Sequence, residues 1–88
     1  MQTKRIEKIL KPLSSKRRLD ILKVLKEEGL LPVWEIAEKI KLSIKATSKH
    51  LLELYHVNLV DFEKHGQESH YYITPQKSRL IKYIISLL

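Results

Sequence analysis

The chain has 88 residues, of which 17 are Lys or Arg and 10 are Asp or Glu, so its formal net charge is +7 and its pI is about 9.7. This length allows one domain, and such a chain buries only roughly 60–65% of its unfolded surface, so dimerisation would be a natural supplement. No cysteine is present, which excludes disulfides, thiol catalysis and thiol-based sensing. The charged start MQTKRIEKILKPL predicts neither a signal peptide nor a membrane span, and we expect a cytoplasmic protein that contacts no membrane.

The positive charge is concentrated in two regions. Residues 1–26 carry nine Lys or Arg and two acids, whereas residues 27–88 carry eight of each. Within this second part, residues 39–49 contain four lysines and no acid. Any one such cluster is common on a solvated helix, but two on a strongly basic chain favour a nucleic acid as the partner.

Two helices are predicted before residue 30. Residues 2–11 carry isoleucines and leucines at helical spacing, and this first helix stops near Pro12. Ser14 or Ser15 caps the second helix, and Gly29 is well placed to end it.

Two shorter helices follow and share one small core. Pro32 stands at the first position of the third helix, where its missing N–H costs little. Ser43 caps a fourth helix that runs to about Tyr55, and Asn58 tolerates the left-handed conformation that closes a helix. Two helices joined by so short a link predict a helix-turn-helix at 33–55, whose second helix (43–55) can enter a DNA major groove.

The remaining sequence predicts a β-hairpin and a last helix. Residues 59–73 alternate apolar and polar side chains on either side of a polar loop that contains Gly66. Thr74 caps the last helix, at 75–88, with Pro75 in its first position. The predicted fold class is therefore one domain (1–88), mainly α with a small β-hairpin, in the order α-α-α-α-β-β-α.

The fourth helix has two chemically distinct sides. At 100° per residue, Thr47, Leu51 and Leu54 fall within about 60° and must face the core. The exposed side carries lysines, a hydroxyl and apolar groups without a carboxylate: Ile44, Lys45, Ser48, Lys49 and Leu52. Lysines suit phosphates or guanine acceptors, serine suits phosphates or base edges, and isoleucine suits a thymine methyl. Such faces also occur on helices that bind nothing.

The order of these motifs resembles the ArsR/SmtB group of repressors. LSSKRRLDILKVL (13–25) is similar to the opening of that family's second helix, and EIAEKIKLS (35–43) with IKATSKHLLEL (44–54) is similar to its helix-turn-helix. NLVDFEKHGQESHYYI (58–73) is similar to the family's wing. The resemblance implies a winged helix-turn-helix protein that binds double-stranded DNA and regulates transcription, with repressor as the expected role.

Carried over by position, the resemblance implies a set of DNA-contacting residues. The set comprises Ile44, Lys45, Ser48 and Lys49 on the recognition helix and Lys64 and His65 on the wing. Arg18, in the basic N-terminal region, is a further candidate DNA contact. Ile44 departs from the polar residue usual in the family, and Gln67 stands where an arginine often follows the wing glycine. We therefore expect the wing contact to be weak. His50 lies beside the core by its angle and is interpreted as a packed structural histidine.

Metal sensing and catalysis are not expected. The family's helix-three metal sites use cysteines, which this chain lacks, and its terminal-helix sites use histidines and carboxylates, which are absent from 74–88. His65 and His70 can approach each other across the hairpin, but two ligands without a third make a poor site. No nucleophile–base pair, phosphate loop or carboxylate pair stands out, so neither an enzyme nor a cofactor is predicted.

The two terminal helices predict a homodimer interface. Apolar residues on the last helix spread around roughly 200°, whereas docking on its own domain needs little more than 100°. The predicted interface residues are Ile6, Ile9, Leu10, Leu80, Ile81, Ile84, Ile85 and Leu88. The alternative is an apolar terminus packed in a monomer. In a dimer, two recognition helices would meet successive major grooves about 34 Å apart on an inverted repeat.

Two other functions remain open from sequence alone. One is a winged-helix protein-interaction module that contacts no DNA, which the weak wing and Ile44 favour. The other is a nonspecific architectural DNA binder that acts through residues 1–26, for which the salt dependence would be steep and the sequence preference small.

Overall fold

The computed structural model describes residues 2–88, which contain five α-helices and three strands. The elements are α1 (Thr3–Leu10), a short 3₁₀ turn (Lys11–Leu13), α2 (Lys16–Glu28), β1 (Leu31–Pro32), α3 (Val33–Ile40), α4 (Ile44–His56), β2 (Val60–His65), β3 (Glu68–Ile73) and α5 (Arg79–Ser86). This order confirms the predicted fold class, a mainly α winged helix-turn-helix.

Local signals placed most helix ends correctly. Ser15 and Ser43 cap α2 and α4, each accepting a hydrogen bond from a backbone N–H three residues later. Gly29 ends α2 with a φ of 87°, and Asn58 follows α4 with a φ of 62°. Serine oxygens satisfy free N–H groups at a helix start, and Gly or Asn accepts positive φ cheaply, so these positions were predictable.

The sheet has one strand more than the sequence predicts. β2 and β3 form the predicted hairpin around the two-residue turn Gly66–Gln67, and β1 pairs with the other edge of β3, giving the order β1-β3-β2. Pro32 belongs to this short strand and precedes α3 as its N-cap residue, so the prediction of Pro32 as the first helical residue was wrong. Proline suits this place because an edge strand can spare its N–H.

The last helix begins later than predicted. Ser78, not Thr74, caps α5, and the helix starts at Arg79 instead of residue 75. The Thr74 hydroxyl donates a hydrogen bond of 2.6 Å to the carbonyl oxygen of Asn58, and the Gln76 amide donates to the same oxygen at 3.1 Å. These bonds tie the segment after β3 to the end of α4 and keep it extended.

The core lies between the middle helices and the sheet. Its apolar residues come from α2, α3, α4, the strands and their flanks: Leu13, Ile21, Leu22, Leu25, Leu31, Ile36, Ile40, Leu51, Leu54, Leu59, Val60 and Tyr71. Neither α1 nor α5 contributes a fully buried side chain. The helix-turn-helix is therefore anchored by fully buried side chains, whereas the two terminal helices lie on the outside of the domain.

Candidate nucleic-acid interface

The orientation of α4 agrees with the sequence prediction. Thr47, Leu51 and Leu54 are completely buried. Lys45 and Lys49 are exposed on the opposite side. The buried residues fix the rotation of the helix about its axis, because turning it would expose leucines to water. The two lysines consequently project outward from the first half of α4, where helix-turn-helix proteins read DNA.

A groove runs between α4 and the wing. Its cavity of about 420 Å³ is lined by Pro32, Val33, Trp34, Ile44, Ser48, Leu52, Gln67, Glu68, Ser69 and Tyr71. Ile44 and Leu52 are about half exposed there (56% and 49%), while Ser48 is half-buried between them. Ser48 thus lines the groove on the wing side of α4.

Trp34 lines this groove, and the sequence analysis did not single it out. It stands near the start of α3, is 47% exposed, and its Nε1 donates a hydrogen bond of 2.9 Å to Glu68 on the wing. The signal was present in the sequence, because Trp34 is the chain's single tryptophan and precedes the apolar stripe of α3. Its partner lies 34 residues away, which no local pattern indicates.

The wing is short of positive charge. Lys64 is exposed and is the only Lys or Arg in residues 60–73, which also contain three acids. The rings of His65 and His70 stack with centroids 4.2 Å apart. Their Nε2 atoms lie 3.4 Å and 3.3 Å from the carboxylates of Glu63 and Glu68, respectively. A DNA contact by Lys64 and His65 therefore remains a prediction, and the surrounding carboxylates oppose a strong one.

Arg18, another of the predicted DNA contacts, forms an ion pair with α4. Its guanidinium is paired with the carboxylate of Glu53 on α4, and its side chain is only 20% exposed. Its Nε atom is buried and has no hydrogen-bond partner within residues 2–88. This ion pair joins α2 to α4 and opposes a phosphate contact by Arg18, which stays a prediction.

His50 is half-buried on α4, near cationic side chains. Its Nδ1 is buried and has no hydrogen-bond partner among the described residues. Burial lowers the pKa of His50 below its ordinary value of 6.5, and the nearby charges of Arg18, Lys49 and Arg17 lower it further. The neutral imidazole is the form that this environment favours.

The turn of the helix-turn-helix carries an unusual backbone conformation. Lys41, the residue after α3, has φ 57° and ψ 51°, the left-handed region that glycine adopts most easily. Beside it, Nη1 of Arg17 donates a hydrogen bond of 2.8 Å to the carbonyl oxygen of Ile40. Leu42 then packs against the core, and Ser43 begins α4.

The described residues do not fit a metal centre. Within residues 2–88, no group of three or more His, Cys, Asp or Glu side chains is arranged to hold an ion. The chain has no cysteine, and 74–88 has no histidine or acidic side chain. The stacked rings of His65 and His70 supply two imidazoles. Each ring contacts a different carboxylate, Glu63 for His65 and Glu68 for His70.

The terminal helices divide the predicted dimer residues into two sets. Ile81, Ile84 and Leu88 are partly buried against the core of their own domain, and their contact with a partner subunit stays a prediction. The opposite side of α5 presents Leu80, Tyr83 and Leu87, which are 41%, 62% and 67% exposed. These three residues, at spacings of three and four, form an exposed apolar stripe that we call the outer face of α5.

The other predicted dimer residues are intermediate in exposure to solvent. Ile85 is half-buried, as are Ile6 and Ile9 on α1, while Leu10 is 38% exposed. Ile9 lines a cavity of about 570 Å³ with Ile81 and the end of α4.

Within residues 2–88, no helix is both long and apolar enough to cross a membrane.

A sequence model and several solved structures are similar to this chain. A sequence model described as bacterial regulatory protein, arsR family, matches residues 15–61. HlyU from Vibrio cholerae N16961 is 31% identical, and the match covers 99% of this chain and 92% of HlyU with a TM-score of 0.80. The transcriptional regulator HlyU from Vibrio vulnificus CMCP6 is 34% identical, with coverages of 97% and 84% and a TM-score of 0.79.

A third similar structure was described as a homodimer. It is the homodimeric winged helix-turn-helix DNA-binding domain Mb0332 from Mycobacterium bovis, which is 25% identical, with coverages of 96% of this chain and 74% of Mb0332 and a TM-score of 0.76. No curated protein sequence matches the chain.

Proposed function

Since this chain belongs to the arsR family of bacterial regulatory proteins, we propose that it is a transcriptional repressor that binds double-stranded DNA sequence-specifically as a homodimer. Regulators of this family are not enzymes, and the proposed role is to occupy a site on cytoplasmic DNA. The recognition element is α4, which enters the major groove.

The observation that carries the proposal is the outer side of α4. Lys45 and Lys49 are exposed there, and no carboxylate occurs between Ile44 and Leu52. Because each DNA strand carries a phosphate every 3.4 Å or so, a positively charged helix without acids is attracted to it and releases counterions on binding. The buried residues of α4 fix the rotation of the helix, and with it the side from which these lysines project.

Specificity requires contacts with base edges as well as phosphates. Ile44 is exposed at the first turn of α4 and suits the methyl group of thymine, while Lys45 and Lys49 can donate to guanine acceptors. Ser48 is half-buried on the wing side of the same helix, where its hydroxyl can donate to a phosphate or a base edge. This chemistry favours sites that combine thymine and guanine in each half.

Dimerisation is proposed to use the outer face of α5. Leu80, Tyr83 and Leu87 expose apolar surface that the protein's own core does not cover. The likeness to the homodimeric Mb0332 domain supports a twofold assembly. Two copies of α4 would then meet two half-sites about one helical turn apart, on an inverted repeat.

The proposal is tested by selecting bound duplexes from a random pool and measuring affinity by gel shift. A specific regulator should prefer the selected site over random DNA by at least about a thousandfold. Lys49→Glu should abolish this preference while the melting temperature stays unchanged, because the position is exposed. Lys77→Glu, an exposed position outside α4 with the same change in charge, is the control and should retain the preference. Unchanged affinity of the Lys49→Glu variant would remove the assignment of α4.

A protein-interaction module is the second candidate, and the acidic wing favours it. Trp34 and Leu52 expose apolar surface in the groove beside Glu68, which would suit a peptide better than a phosphate. The same experiment separates the two functions, since an interaction module would enrich no duplex from the pool.

A further inference from the structure

In the turn of the helix-turn-helix, one residue has a left-handed backbone conformation that is unfavourable for its residue type. Lys41 adopts φ 57° and ψ 51° at the end of α3. This left-handed conformation crowds the Cβ of any L-residue, and helix–helix turns of this kind often use glycine instead. Lysine also has a long, flexible side chain, and ordering it costs conformational entropy. A strained position that keeps a charged side chain indicates that the side chain itself has a use.

The surroundings of Lys41 are strongly positive. It borders a groove of about 470 Å³ between α2 and α3, where five cationic side chains face two carboxylates: Lys16, Arg17, Lys23, Lys39 and Lys41 against Asp20 and Glu27. Two of these lysines are already paired, Lys16 with Asp20 of the same groove at 2.9 Å and Lys39 with Glu28 at 3.5 Å. Within residues 2–88, Lys41 has no ion-pair partner within 4.0 Å and is exposed.

Arg17 adds a fixed charge next to this lysine. Its Nη1 is held at 2.8 Å from the carbonyl oxygen of Ile40, the residue immediately before Lys41. A guanidinium has five N–H donors, so this bond leaves donors free and keeps the positive charge at the turn. The turn therefore has an anchored guanidinium at Ile40 and, within the described residues, an unpaired lysine at the next position.

The chain itself places this pair beside the proposed DNA-reading end of α4. Lys41 precedes the cap residue Ser43 by two positions, which keeps their Cα atoms within about 7 Å. In helix-turn-helix complexes the first helix crosses the DNA backbone while the start of the second reads the bases. The end of α3 is thus close to a backbone strand whenever α4 lies in the groove.

We propose that Lys41, supported by Arg17, binds a backbone phosphate at the edge of the major groove that α4 enters. This inference rests on the proposed DNA binding and extends the interface from α4 to the preceding turn. A phosphate contact carries no base information, so its role is to set the depth and register of α4 on the duplex.

Three variants separate the charge of Lys41 from its backbone conformation. Lys41→Gln removes the charge and keeps the strain, whereas Lys41→Gly removes both. Asn58→Gly is the matched control, because Asn58 also has a positive φ of 62° but lies beyond the other end of α4. Lys49→Gln reports on the proposed interface of α4 itself.

The measurement is fluorescence anisotropy with a mixed-sequence duplex of about 30 base pairs, enough for two half-sites, titrated at several salt concentrations. Lys41→Gln and Lys41→Gly should both weaken binding roughly threefold to tenfold near 0.1 M salt and lower the salt slope by about one per subunit. Lys41→Gly should also raise the melting temperature by about 2–6 °C. A variant that is more stable yet binds DNA less tightly cannot owe its weaker binding to unfolding.

The possible outcomes distinguish this inference from the proposed function. Asn58→Gly should bind with wild-type affinity and salt slope. If both Lys41 variants bind like the wild type while Lys49→Gln is weakened, Lys41 makes no phosphate contact and the role of α4 stands. If the wild-type protein binds no duplex, both the DNA-binding proposal and this inference are wrong.

Discussion

The guanidinium of Arg18 on α2 donates a hydrogen bond to the carboxylate of Glu53 on α4, joining residues 35 positions apart. The Arg18 side chain is 20% exposed and that of Glu53 is 37% exposed, so water screens the pair only partly. This contact connects the scaffold helix α2 to the second half of the recognition helix, and it helps to hold α4 at a fixed angle.

Loss of the Glu53 carboxylate should therefore destabilise the fold. Glu53→Ala leaves a mostly buried guanidinium without its acceptor, and we expect the free energy of unfolding to fall by about 1–2 kcal/mol, less than for a fully buried pair because Glu53 is partly exposed. Urea unfolding at neutral pH measures this change. Asp20→Asn, which breaks the exposed pair with Lys16, is the control and should cost about 0.3–0.5 kcal/mol. Equal effects of the two variants would show that the Arg18–Glu53 pair contributes no more than an ordinary surface contact.

The packing of His50 predicts that the fold loses stability in mild acid. Its pKa in the folded protein is lowered from 6.5 by burial and by the charges of Arg18, Lys49 and Arg17. The unfolded chain therefore takes up this proton first as the pH falls, and the stabilisation that is complete above about pH 6.5 is lost below that value.

A variant without this histidine isolates the contribution of His50. His50→Gln removes the titrating group, so its free energy of unfolding should change less between pH 7.5 and pH 5.5 or so than that of the wild type. Chemical unfolding across this range gives the difference between the two proteins, in which the effects of the carboxylates cancel. Parallel pH profiles for wild type and His50→Gln would refute the assignment.

Local sequence patterns predicted the parts of the fold that depend on neighbouring residues. The caps at Ser15 and Ser43, the glycine that ends α2 and the inward side of α4 all follow from spacing within a few residues. The strand β1 could not be found in this way, because Leu31 and Pro32 become a strand only by pairing with Tyr71 and His70.

In the candidate site too, the features that depend on neighbouring residues were predicted, whereas those that depend on distant segments were not. The lysines of α4 were found from helical angles, whereas the pairing of Trp34 with Glu68 and of Arg18 with Glu53 depends on contacts between distant segments. On α5, periodicity identified an excess of apolar residues but not which of them the core covers. Ile84 packs inward and Leu87 outward because of where α2 lies, which the pattern of α5 does not contain.

The two sides of α5 should respond differently to a charge. Leu87→Glu places a carboxylate on the outer face, which is 67% exposed in the single domain, so the fold should survive while the dimer dissociates. Ile84→Glu instead buries a carboxylate against the core and should unfold the domain. Light scattering after size-exclusion chromatography gives the mass, and circular dichroism gives the helix content. A Leu87→Glu protein that remains a dimer would place the interface elsewhere.

Trp34 provides a direct test of whether the groove between α4 and the wing faces DNA. It is the only tryptophan, is 47% exposed, and donates to Glu68 across the groove, so its emission depends on this environment. If the duplex covers the groove, saturating DNA should displace water from the indole and shift its emission to shorter wavelength. Fluorescence titration of the wild type and of Lys49→Glu measures this, and the variant should show no shift.

The carboxylate of Glu68 should weaken that same contact. Glu68→Gln keeps an acceptor for the Trp34 indole but removes a negative charge from the wing, so DNA affinity should rise about twofold to fivefold at low salt and less at high salt. Glu7→Gln on α1, an exposed position outside the groove, controls for the change in net charge. Binding that shifts neither the Trp34 emission nor the affinity of Glu68→Gln would place this groove outside the interface and leave α4 to contact DNA with its lysine side alone.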